Sequence, residues 1–177
     1  LIQKSMEKIR AYLSGKTISS NSQEAHFLSN KSHFGEPIGE KVQYSLSEAL
    51  YLLDKGKMDI FYKNKKLSFR DLLEKLRRID KKISTKYPVF KDLREKGYVV
   101  KTALKFGSEF RVYEKGSSPD KSHAKWIVFT DSESQRLTWH EFAAKNRVAH
   151  STKKKLLLAI VDDENDIIYY EVNWTKP

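Results

Sequence analysis

VFKDLREKGYVVKTAL, residues 89–104, decides how the second half of this chain is read. VFKDLREKG has the make-up of a short helix ended by Gly97, and the apolar, β-branched run after it reads as a strand. A helix handed to a strand across one glycine opens an αβ unit. Downstream, EFRVYEK (109–115), KWIVF (125–129), KLLLAIV (155–161) and DIIYYEVNW (166–174) alternate or run apolar as further strands. TWHEFAAKN (138–146) interrupts them as a helix. Five strands with two helices in about ninety residues imply a compact mixed sheet flanked by helices.

Working upstream, Pro88 is expected to break the preceding helix, which places a domain boundary near residues 84–88 and divides the chain into 1–85 and 86–177. In the first part, Ser45 and Glu48 form a capping box ahead of Leu46, Ala49, Leu50 and Leu53, with Gly56 as the stop. MDIFYKN reads as a strand. Ser68 and Asp71 repeat the capping signal before Phe69, Leu72, Leu73, Leu76, Ile79 and Ile83 at helical spacing. Lys75, Arg77, Arg78, Lys81 and Lys82 fall largely off that stripe and read as a solvated face. Residues 16–44 are Ser/Asn-rich, which suggests short strands and turns. The fold class is therefore α+β, a small N-terminal αβ domain followed by a compact mixed-sheet αβ domain.

The chain's 177 residues include 34 Lys and Arg against 23 Asp and Glu, a net charge of +11. Such an excess favours a polyanionic partner through counterion release at phosphates. Residues 1–85 carry 17 basic and 10 acidic residues, and residues 86–177 carry 17 and 13. Four of those 13 acids crowd into DDEND at Asp162, Asp163, Glu164 and Asp166, so a basic body carries one acidic protrusion. Cysteine is absent, which excludes disulfides, thiol catalysis and cysteine-ligated zinc. No apolar run approaches the ~20 residues that span a bilayer, and LIQKSMEKIRAYLSG lacks a signal-peptide core. The expectation is a cytoplasmic protein without a membrane partner.

Three side chains in the second half have the chemistry to cleave RNA without a metal: Tyr113 in FRVYEKG, His123 in DKSHAKW and Lys154 in STKKKLLL. RNA supplies its own nucleophile, the ribose 2′-hydroxyl, so a protein need only move two protons and neutralise a developing phosphorane. Tyr113 ends a strand, His123 follows the turn KGSSPDKS and Lys154 enters another strand; strand ends are where sites are commonly built. The rival is a metal nuclease, since Pro119-Asp120 matches the start of a PD-(D/E)-x-K pattern. The second half of that pattern is missing, because none of Asp131, Glu133, Glu141, Asp162, Asp163, Glu164, Asp166 or Glu171 has Lys two positions on. His26, His33, His140 and His150 show no ligand spacing beside paired acids and read as structural or surface residues. No metal or cofactor is expected.

YPVFKDLREKGYVVKTALKFGSEFRVYEKG, then DKSHAKW, then RVAHSTKKKLLLAIVDDENDIIYYEV, resembles the catalytic domain of archaeal tRNA-splicing endonucleases over roughly residues 84–177. SLSEALYLLDKGKMDI and LSFRDLLEK extend the likeness into the N-terminal domain. The resemblance implies Tyr113 as general base, His123 as general acid and Lys154 as transition-state stabiliser. Lys153 and Lys155 add cations that favour phenolate and phosphate. It further implies precursor tRNA, with a bulge-helix-bulge at the intron boundaries, as the partner, and products ending in a 2′,3′-cyclic phosphate and a 5′-hydroxyl. Arg147 matches one position of a base clamp. Trp174 stands where the family often has a second Arg, and it either stacks a base or packs a subunit interface.

DDEND reads from its residues as a polar hairpin tip. The resemblance implies an acidic loop that docks in a basic cleft of another subunit, and pairing of final strands, here Tyr169 to Trp174, across a dimer axis. Two such dimers make a tetramer, built from this chain alone or with a paralogous structural subunit. The alternative to an enzyme is a noncatalytic RNA-binding or structural subunit of the same kind of complex.

Overall fold

The computed structural model describes residues 7–177; the first six residues of the polar opening segment lie outside the described residues. The chain divides into two compact units, residues 1–84 and 85–177.

In the first unit the elements run β1 (Ile9–Ser14), β2 (Thr17–Ser20), α1 (Gln23–Ser32), β3 (Glu36–Ile38), β4 (Lys41–Tyr44), α2 (Leu46–Asp54), β5 (Met58–Tyr62), β6 (Lys65–Lys66) and α3 (Phe69–Ile79). The strands form one six-stranded sheet in the order β3-β4-β2-β1-β5-β6, with only β1 and β5 parallel. Strict alternation in IRAYLS buries Ile9, Ala11 and Leu13 and exposes the residues between them, as a period of two requires. Both expected capping boxes are present, Ser45 with Glu48 and Ser68 with Asp71. The Glu48 carboxylate is buried and accepts from the backbone N–H of Gly35 at 3.0 Å as well as from Ser45 at 2.9 Å. Gly35 lies in the left-handed region, where an added Cβ would run into Val42.

Two expectations fail here. Residues 23–32 form helix α1, started by the Ser22 hydroxyl accepting from Ala25 N–H at 3.2 Å. QEAHFLSNKS buries only Ala25, Leu28 and Ser29, so its apolar stripe is too thin to announce a helix. The stripe from Phe69 also stops at Ile79, because Asp80 leaves helical geometry at φ −136°.

Ile83 instead begins a new helix, α4 (Ile83–Glu95), which carries Pro88 inside it. Proline removes one N–H donor and is expected to end a helix. Burial of Val89, Phe90 and Leu93 in the second unit outweighs that loss. As the opening stretch requires, α4 ends just before Gly97, at φ 92°, and Tyr98 N–H donates back to the Leu93 carbonyl at 3.1 Å.

The second unit continues with β7 (Val99–Ala103), β8 (Ser108–Tyr113), β9 (Trp126–Ser132), α5 (Trp139–Ser151), β10 (Lys155–Val161) and β11 (Ile167–Val172). These five strands make a mixed sheet ordered β11-β10-β9-β8-β7, parallel only between β9 and β10. Helices cover both faces. Phe90 of α4 meets Phe110 on one face, and Asp92 accepts from the Tyr169 hydroxyl at 2.7 Å. On the other, Val148 and Ala149 of α5 pack with Ala103, Ile127, Phe129 and Leu156. The molecule is α+β, as expected.

Candidate active site

Strand direction decides where the polar ends of the second sheet meet. β8 runs against β9, β10 runs with β9, and β11 runs against β10. The C-terminal ends of β8 and β11 therefore lie beside the N-terminal ends of β9 and β10, as the pairings Val112 with Trp126, Trp126 with Lys155 and Leu156 with Val172 record. Tyr113 is the last residue of β8, His123 precedes Trp126 by three residues, and Lys154 immediately precedes β10. Adjacent strands are about 4.8 Å apart, so β8 and β10 stand about 10 Å apart with β9 between them. Tyr113, His123 and Lys154 thus all lie at one end of three neighbouring strands.

Each is held differently. Tyr113 is 4% exposed and packs with Val99 and Ala124. The Arg111 guanidinium lies 6.0 Å from its ring centroid, two residues earlier on the same face of β8. The segment 114–125 that carries His123 is closed at its base by the Lys125–Glu114 ion pair at 2.5 Å and by Lys125 N–H donating to the Val112 carbonyl at 2.8 Å. The Glu114 hydrogen bond raises the Lys125 pKa above the usual ammonium value. Within this closed segment His123 is exposed.

Lys154 owes its place to the end of α5. Lys153 takes a left-handed φ of 55°, the position helices usually give to glycine, and the N–H groups of Lys153 and Lys154 donate to His150 and Ala149 carbonyls at 3.0 and 2.9 Å. That turn swings the chain into β10 with Lys154 at its head. The Lys154 ammonium donates to the Thr152 carbonyl at 2.9 Å and lies 5.7 Å from the Phe106 ring centroid.

The remaining candidates fall at the same end. Arg147 is exposed on α5, one turn before His150, and His150 meets the Trp174 indole edge-on with centroids 4.5 Å apart. Trp174 is 59% exposed and so offers surface for stacking. Lys153 is exposed, whereas Lys155 donates to the Glu171 carboxylate at 2.7 Å. The Trp126 indole N–H donates to the same carboxylate at 2.8 Å. Glu171 thereby links β9, β10 and β11, and the hydrogen bonds from Lys155 first and Trp126 second hold its pKa below the usual carboxylate range. Neither Glu171 nor Arg111 stood out in the sequence; the period-two pattern that pairs Arg111 with Tyr113 was the available signal.

At the far end of β10, Asp162, Asp163, Glu164 and Asp166 occupy the hairpin tip. There Asp162 Oδ1 accepts from Glu164 and Asp166 N–H groups at 2.9 and 2.8 Å, and Asn165 is left-handed. Asp163, Glu164 and Asp166 are exposed. Other histidines have local partners or positions: the His26 ring meets the Glu40 carbonyl at 3.1 Å, and His33 caps α1 in the left-handed region. Among the described residues no three His, Asp or Glu side chains converge as a metal site. No helix among them is long and apolar enough to cross a membrane.

Comparison with known proteins matches residues 83–169 to the tRNA intron endonuclease catalytic C-terminal domain and residues 9–73 to the N-terminal domain of the same family. The tRNA-splicing endonuclease of Thermococcus onnurineus is 41% identical over 171 residues, 96% of this chain and 98% of that protein. That of Pyrococcus horikoshii is 43% identical over 169 residues, covering 95% and 97%. That of Nanoarchaeum equitans is 46% identical over 138 residues, covering 75% and 88%. With both domains matched in order and such identity along nearly its whole length, this chain belongs to the tRNA intron endonuclease family.

Proposed function

We propose that this protein is a metal-independent RNA endonuclease that excises introns from precursor tRNA at bulge-helix-bulge sites. What supports the reading is that Tyr113, His123 and Lys154 stand at the same end of β8, β9 and β10. Tyr113 withdraws the proton from the ribose 2′-hydroxyl, which attacks the adjacent phosphorus in line. Lys154 sets a compact positive charge on a nonbridging oxygen as negative charge develops there. His123 donates a proton to the leaving 5′-oxygen. The bond formed is 2′-oxygen to phosphorus and the bond broken is phosphorus to 5′-oxygen, leaving a 2′,3′-cyclic phosphate and a 5′-hydroxyl. Two proton transfers and one charge clamp complete the step, and none calls for a cofactor.

Arg147 and Trp174 flank a flipped bulge base, the guanidinium on one side and the indole on the other. Exposed Lys153 adds a phosphate contact, while Lys155 acts chiefly through Glu171. Exposed Ile168 and Tyr170 on edge strand β11 support pairing of that strand with a second copy. The acidic tip at Asp162, Asp163, Glu164 and Asp166 docks on a basic surface of another subunit, giving a tetramer of this chain or of this chain with a paralogue. Reversing the charge of the tip should release smaller species in light scattering; an unchanged mass removes the docking role. A protein of this substrate class works in the cytoplasm.

One observation favours the noncatalytic alternative: Tyr113 is nearly buried, and a base must reach ribose. Incubation with bulge-helix-bulge RNA in EDTA, followed by end-group identification, separates the readings. Cyclic phosphate and 5′-hydroxyl ends are expected; intact RNA, or cleavage only after magnesium is restored, overturns the proposal.

A further inference from the structure

The first unit holds a cationic surface that the cleavage chemistry does not use. Residues 62–82 contain nine basic and three acidic residues, more than half of the chain's whole excess. Sequence alone assigns Lys75, Arg77, Arg78, Lys81 and Lys82 of this surface to solvation. In the structure part of it closes round a hollow of about 230 Å³ lined by Tyr62, Lys65, Leu67, Asp71, Glu74, Lys75 and Arg78.

Two elements make it. The β5–β6 hairpin turns through Lys63 and Asn64, both left-handed at φ 46° and 64°, and brings Tyr62 and Lys65 to one wall. α3 supplies the other from Asp71, Glu74, Lys75 and Arg78, whose spacing puts them on one helix face. Leu67, 3% exposed, forms an apolar floor. The Lys75 ammonium sits 4.2 Å from the Tyr62 ring centroid, so the ring holds one cation of the hollow's lining, and the Lys63 ammonium lies 5.5 Å from the same ring.

The two acids are committed locally. Asp71 accepts from Ser68 N–H in the cap of α3, and that hydroxyl and amide, ahead of Lys65 and Lys75, hold its pKa below the usual carboxylate range. Glu74 pairs with Arg70 at 3.3 Å. Lys65, Lys75 and Arg78 line the same hollow, beside an aromatic ring. Cations with an aromatic wall are what a nucleic-acid backbone meets on a binding protein, whereas a purely electrostatic acceptor for carboxylates has no use for the ring.

We propose that this hollow is a second RNA contact, holding a substrate phosphate other than the scissile one, with Tyr62 against the neighbouring ribose or base. It rests on the reading of the protein as an RNA endonuclease and adds a site in the unit that carries no catalytic group. A phosphate contact fixes register without reading sequence. Its signature is therefore affinity and salt dependence.

The test measures precursor tRNA binding by His123→Ala protein, with and without the added changes Lys65→Gln, Lys75→Gln and Arg78→Gln, across a range of salt concentrations. These three side chains are at least partly exposed, and a thermal melt checks that the variant folds. Affinity should fall by roughly tenfold at low salt, and the slope of log K against log salt should shrink by about 1, as for one lost phosphate contact. Tyr62→Leu in the same background should weaken binding with little change in slope. An unchanged slope and affinity overturn the inference. So does an unchanged slope with reduced mass in light scattering, which would assign the hollow to the acidic tip of another copy. Wild-type protein that cleaves while the variants bind normally sinks this inference alone; wild-type protein that neither binds nor cleaves sinks both it and the proposed function.

Discussion

Both units pack helices on a sheet and both start helices with reciprocal hydroxyl–carboxylate caps, yet they close their strands differently. In the first, β1–β2, β3–β4 and β5–β6 are each joined by two residues, with Gly15, Gly39 and the Lys63–Asn64 pair supplying left-handed turns. In the second, twelve residues separate β8 from β9, and α5 returns to β10 through a strained lysine. Tight hairpins leave little chain with which to build a site. Long connections that return to one end of a sheet deliver polar side chains there while the strands hold their spacing. The first unit thus presents its charge on a helix and a hairpin, and the second brings its candidate catalytic residues to strand ends.

The largest expected effect tests the second unit's site. His123→Ala should slow single-turnover cleavage by about 10²–10⁴-fold and Lys154→Ala by about 10²–10³-fold, with RNA affinity changed far less. Equal losses of binding and cleavage would reduce both residues to structural roles. Next, core truncations should divide the units by consequence. Phe110→Ala beneath β8 should cost about 3–5 kcal/mol, and Leu76→Ala in α3 about 2–5 kcal/mol, in denaturant unfolding. Only Phe110→Ala disturbs the strand that carries Tyr113, so Leu76→Ala should change cleavage of folded protein by roughly tenfold at most; equal kinetic damage from both would erase the contrast.

A smaller effect concerns recognition. Arg147→Ala should weaken bulged RNA by about 1–3 kcal/mol, the range for losing one stacked base, and leave an uninterrupted duplex nearly unaffected. Indifference to the bulge would leave Trp174 as an interface residue only. The smallest concerns strain at the head of β10. Lys153→Gly relieves a left-handed lysine and should raise stability by up to about 1 kcal/mol while weakening RNA binding through the lost charge. A melting temperature that falls instead would remove the strain argument.

The sequence made some of this legible for physical reasons. Capping boxes at Ser45 and Ser68 are local hydrogen-bond chemistry, so they mark helix starts wherever the fold places them, and the one at Thr138 carried the same signal unread. Strands β7–β11 declare themselves by apolar runs between turn residues. Helix α1 stayed hidden because its buried face is only three residues, and the start of α4 before Val89 because packing under Val89, Phe90 and Leu93 overrides a proline that local rules treat as a stop. At the site, Tyr113, His123 and Lys154 were each visible as residue types at strand ends. Their position at one shared end of the sheet depends on the parallel β9–β10 pairing, a long-range choice that no short motif encodes. Glu171, bridging Lys155 and Trp126, and the hollow beside Tyr62 were invisible for the same reason.

The assignment of His123 as the acid that releases the 5′-oxygen admits a direct chemical test. Single-turnover cleavage should be compared on RNA with the normal 5′-oxygen and on RNA with sulfur in its place, a leaving group that departs without a proton. The account predicts that sulfur restores His123→Ala to nearly the wild-type rate while Tyr113→Phe and Lys154→Ala stay slow. His123→Ala protein as slow on sulfur as on oxygen would contradict it.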